Sequence, residues 1–120
     1  MKLIRFGALL AIVLMSLPRS AFAKSPDCAG PDRWPTNMAL VQLKNAGIAD
    51  SGQIDFSKTR STRIVSERIG KDLYRQVHRV IFSKKNGDRI ELMTVSDASH
   101  DECSMGAVQV FLISKQLGGE

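Results

Sequence analysis

The stretch LYRQVHRVIFSKKNGDRIELMTVS, residues 73–96, decides the fold. Two runs rich in β-branched, aromatic and long apolar side chains flank Lys85-Asn86-Gly87-Asp88. Asn-Gly accepts the positive φ values of a tight type I′ turn, so the stretch predicts a β-hairpin with strands over 73–84 and 89–96. Setting Lys85 opposite Asp88 puts Ile81 opposite Leu92 and Val80 opposite Met93. On the first strand Tyr74, Gln76, His78, Val80 and Phe82 share one side, and Arg75, Val77, Arg79 and Ile81 share the other. Both sides are partly apolar, so alternation alone does not say which one meets the rest of the chain.

Outward from the hairpin, Gly70-Lys71-Asp72 can form a second tight connection to a strand over 60–69, which carries Thr62, Ile64, Val65 and Ile69. Downstream, Gly106 precedes a fourth run over 107–114, giving a meander of four antiparallel strands. Upstream, Thr36 or Asn37 caps a short helix over 37–46 that Gly47 stops. Ala39, Leu40, Leu43 and Ala46 lie on one arc of it and should face the core. About ten residues make a poor helix in isolation, so it must dock on the sheet. Residues 24–35 hold three prolines and read as extended, Trp34 reads as a plug for the end of the core, and 48–57 reads as a polar connection. The expected fold is α+β: one short N-terminal helix on a four-stranded, mainly antiparallel sheet, in a single domain over 24–120.

The first 23 residues read as a secretory signal peptide. Lys2 and Arg5 precede an uncharged run of about a dozen residues, too short to span a bilayer, and Ala21-Phe22-Ala23 supplies small residues for cleavage. Lys24 would follow the cut in place of a lipidated cysteine, so a soluble periplasmic or secreted chain without membrane anchoring is expected. Cleavage also removes three cations and no acid, reducing the formal charge of +5 to +2. Most of the argument for nucleic-acid binding leaves with it, and no aromatic residues interleave with the basic ones. The remaining charge is uneven, with +7 over 58–89 and −4 over 90–120, as for neighbouring strands that attract one another.

Cys28 and Cys103 are the only cysteines, and an oxidising compartment favours an internal disulfide over a bridge between chains or free thiols. Neither sits in a C-x-x-C pair, which argues against redox catalysis.

Residues 96–104, SDASHDECS, form the densest cluster of reactive side chains. His100 with Asp97, Asp101 or Glu102 could ligate a metal, or His100 could activate Ser99 or Ser104. However, no paired-histidine or nucleophile-turn motif accompanies them, and a solvated loop has the same composition. His100 and Asp101 remain weak metal candidates, and no cofactor is implied. Arg75 and Arg79, four apart on one strand face, suit either a solvated face of salt-bridged arginines or contact with an acidic or anionic partner, and His78 is a mid-strand contact or structural residue. The resulting expectation is binding to another protein, as an inhibitor or immunity protein does. The alternatives are an accessory subunit of an envelope or secretion complex, or a small metal-dependent enzyme built on the His100 loop.

Overall fold

The computed structural model describes residues 24–113, so the expected signal peptide over 1–23 lies outside the described residues. The chain folds as α1 (Trp34–Asn45) followed by β1 (Arg60–Gly70), β2 (Leu73–Ser83), β3 (Arg89–Ala98) and β4 (Gln109–Ile113). The strands form one antiparallel sheet in the order β1-β2-β3-β4, the expected meander.

The helix begins three residues earlier than expected, and no side chain caps it. Pro35 sits in its first turn, where its missing amide would have had no intrahelical partner anyway. Thr36 instead donates its hydroxyl to the Gly30 carbonyl (2.7 Å), tying the helix start to the segment before it. The C-terminus is as read. Gly47 adopts φ +69°, its amide bonds the Lys44 carbonyl and the Ile48 amide bonds that of Leu43, a Schellman closure. Ala39 and Leu43 face the core with Leu40 at its edge, whereas Ala46 is exposed.

The β2–β3 turn differs from the two-residue form. The Lys84 amide bonds the Asp88 carbonyl (2.7 Å), the Gly87 amide bonds the Lys84 carbonyl (2.9 Å), and of Asn86 and Gly87 only the glycine has positive φ, at +96°. The loop is thus one residue longer and the register shifts by one, pairing Val80 with Leu92, Phe82 with Ile90 and Ile81 with Glu91. Packing explains the choice. The shorter turn would set Phe82 opposite Glu91, whereas the observed register brings apolar residues of both strands onto the covered face.

That face holds two cores. Under the helix, Ala39, Leu43, Ala49, Ile54, Val80, Phe82, Ile90 and Leu92 pack together. Ala49 and Ile54 come from the expected polar connection, which makes two single 3₁₀ turns (Ser51–Gln53 and Phe56–Lys58) and bridges Ile54 to Lys84. Toward the other end of the same strands the buried residues become polar: Gln76, His78, Thr94 and Ser96. The segment before the helix roofs this part. The Pro26 carbonyl accepts from Gln76 Nε2 (2.9 Å) and Arg63 Nη1 (3.2 Å). The Cys28–Cys103 disulfide fastens the same segment to the β3–β4 connection. Among the described residues no helix is long and apolar enough to cross a membrane.

His78 is fully buried in the polar part, and neither ring nitrogen meets a partner among the described residues. Burial, reinforced by the Arg63 charge and opposed by Asp27, lowers its pKa below the ordinary 6.5. The unfolded chain therefore binds the proton more readily, and this contribution to stability falls as pH drops below about 6.5. His100 acts in the opposite direction. Its pKa is raised, so its contribution is present below about 6.5 and fades as pH rises through the folded value. Thermal melts between pH 5 and 8 should show His78→Asn losing less stability than wild type on acidification (a range set by the two imidazoles). An unchanged acid limb in that variant would remove His78 as its source.

Candidate binding surface

The helix and the N-terminal segment cover one face of the sheet, and the strand registers assign the residues of the other. One row runs Glu67, Arg75, Asp97; the next runs Val65, Val77, Val95, Gln109. Then come Thr62, Arg79, Met93, Phe111, and finally Arg60, Ile81, Glu91, Ile113. Val65, Phe111 and Ile113 are exposed by 47%, 54% and 42%, while Val77, Ile81, Met93 and Val95 are half-buried by their neighbours. A sheet face turned to water normally alternates to polar residues. Here seven apolar side chains occupy it.

Arg75 and Arg79 stand on this open face, but neither is free. Arg75 reaches Asp97 through two nearly parallel bonds (Nε–Oδ1 3.1 Å, Nη2–Oδ2 3.3 Å), and that carboxylate raises the guanidinium pKa further. Arg79 pairs with Glu91. The attraction expected between the basic middle and the acidic end is thus realised as β2–β3 ion pairs. His78, expected as a further contact residue, points to the covered face and cannot touch a partner bound on the open one.

The His100 loop is a structural joint. His100 Nδ1 and backbone amide both bond the Asp72 carboxylate, Nε2 bonds the Lys24 carbonyl, and the ring packs edge-on against Tyr74 (centroids 5.4 Å apart). The Lys24 carbonyl and then the Asp72 carboxylate raise the His100 pKa, and the same imidazole and amide lower that of Asp72. Charged, the ring donates from both nitrogens and ties the β1–β2 turn, the β3–β4 loop and the N-terminal segment together. Its expected neighbours are occupied elsewhere. Asp97 holds Arg75, and Ser99 Oγ accepts from the amides of Asp101 and Glu102. Among the described residues no three His, Cys, Asp or Glu side chains converge as metal ligands.

Beside this joint an open cavity of about 320 Å³ is lined by Asp27, Asp32, Arg33, Trp34, Asp101 and Glu102, among others. Trp34 is 40% exposed on its wall. The expected core plug is therefore displaced to the surface, because starting the helix at Trp34 places Pro35 and Thr36 inward instead.

Sequence reading placed Asp72 in a tight turn and residue 111 in the fourth strand, yet marked neither Asp72 nor Phe111 as a functional residue. Asp72 is the one non-glycine residue with positive φ among those described, at +46°. An Asp in a tight turn was the available signal for its placement, but its pairing with His100, 28 positions away, is tertiary. No family model, curated protein or solved structure matches the chain.

Proposed function

We propose that the chain is an exported, disulfide-bonded module that acts by binding protein on the open face of its sheet, as an inhibitor or immunity protein does. The observation that carries this reading is the face that no other described residue covers, on which seven apolar side chains lie among closed ion pairs. Export is supported by the N-terminal charge and hydropathy pattern and is compatible with the Cys28–Cys103 bridge. Binding is preferred to catalysis because both His100 ring nitrogens already serve the fold.

The test has two parts. Protein recovered from the periplasm should have the intact mass of a chain beginning at Lys24. Periplasmic capture should then be compared between wild type, Met93→Asp at the centre of the open face, Arg75→Glu at its margin, and Lys44→Glu on the exposed side of α1. The reading expects a specific protein retained by wild type and Lys44→Glu. Retention should fall about tenfold or more in Met93→Asp, as for a buried contact in an interface core, and less in Arg75→Glu. Equal capture by all four would remove the open face as the binding surface.

A further inference from the structure

The apolar open face has a charge pattern that matches itself, and an assembly built on that pattern rests on the reading of this face as the binding surface. Its four rows carry Arg60, Arg75 and Arg79 against Glu67, Glu91 and Asp97, so their formal charges cancel. Arg75–Asp97 and Arg79–Glu91 are closed within one chain. A strongly charged partner would therefore find little net charge to engage, whereas a neutral sheet can stack without net repulsion.

We infer that the occupant of this face is a second copy of the chain, stacked face to face as a β-sandwich about a twofold axis running along the strands between β2 and β3. Rotation about that axis keeps each row at its height and exchanges β2 with β3. Arg75 then lies over Asp97 of the second copy, and Val77 lies over its Val95. Arg79 lies over its Met93, one row from its Glu91, and Thr62 lies over its Phe111. Val77 and Val95 of the two copies meet apolar to apolar, and Ile81 lies over Glu91 of the second copy. Arg79 comes within one row of that carboxylate while Arg75 meets Asp97 of the second copy, so each intrachain ion pair gains an opposite charge across the interface. An axis across the strands would set Asp97 over Glu91 of the second copy, which opposes like charges. The strand-parallel axis is the complementary one.

The size of the face approaches that of a stable pair. At a spacing of about 4.8 Å and a rise of about 3.4 Å per residue, the four strands present about 600 Å² of sheet plane before side-chain relief is added. A stable pair buries about 800 Å² per partner. A foreign target would compete with this self-association for the same surface.

Sedimentation velocity on purified protein beginning at Lys24, which carries every described element, tests the pairing. A dimer is expected at about 10 µM. Arg75→Asp and Asp97→Arg should each weaken self-association about tenfold or more, since each opposes like charges across the axis. An equimolar mixture of the two variants should recover dimers, which native mass spectrometry would identify as one copy of each. Circular dichroism of each variant establishes that the fold is retained.

A wild-type chain that stays monomeric at about 100 µM overturns the pairing, whether its face is free or covered by its own residues 114–120. Dimers that both substitutions leave unchanged overturn it as well. If the chain is monomeric but still captures a foreign protein in a Met93-dependent way, the second copy is wrong and the binding surface stands. If that capture is lost too, both readings fall.

Discussion

Replacing Cys28 and Cys103 together by serine is expected to remove about 4 kcal/mol of stability. The bridge closes a loop over a sequence separation of 75 residues, and its loss releases that constraint in the unfolded chain. For a domain of this size the thermal midpoint should fall by about 20 °C. Net stabilities of small domains run from about 5 to 15 kcal/mol, so the variant should be marginal at physiological temperature. A local consequence should accompany the global one. Cys28 is fully buried and lies next to the segment whose Pro26 carbonyl holds Gln76 and Arg63. Released from β3–β4, that segment should open first, and the amides around Gln76 and His78 should lose hydrogen-exchange protection before those around Phe82. Urea titration of the oxidised protein and the double-serine variant measures the global term. A difference under about 1 kcal/mol would mean that the serine-substituted unfolded chain remains comparably constrained.

Phe82→Ala should cost about 3–5 kcal/mol, the usual range when an aromatic is truncated in a packed core. Phe82 is 1% exposed, pairs with Ile90 across the sheet and belongs to the cluster containing Leu43, Ile54 and Leu92. Its removal opens space where α1, the Ile54 segment and the hairpin meet, so none of them can close the gap alone. Phe111→Ala provides the contrast. Phe111 is 54% exposed on the open face, and its truncation should change the stability of a single copy little while weakening whatever binds there. Denaturant titrations at low protein concentration separate the two. Comparable losses in both variants would mean that the open face is already covered within one chain.

The elements were readable because their signals are local. Gly47 and Gly87 take the positive φ values that the helix stop and the hairpin turn require, and strand-forming residues fill the runs between turns. The early helix start was obscured because Pro35 signals an extended chain as well as a first helical turn. The Asn-Gly pair indicated a turn but not its length, and one extra loop residue changed every partner of β3. At the candidate site, the residues of the open face could be named from strand alternation. Their closure into Arg75–Asp97 and Arg79–Glu91 could not, because that depended on the register.

Sequence by itself determined one helix followed by four strands in hairpin order, and a pair of cysteines able to close the N-terminal segment onto the last connection. Each follows from the conformational preferences of short segments or from residue counting. Tertiary structure decided which face of the sheet is covered, that His78 and Gln76 are interior, that Trp34 is exposed, and that His100 joins Asp72 and Lys24. These outcomes depend on how the helix, the loops and the shifted register share one core. Both faces of β2 offered apolar residues to that core. Burying Val80 and Phe82 against Leu92 and Ile90 chose one, and so left the other uncovered among the described residues.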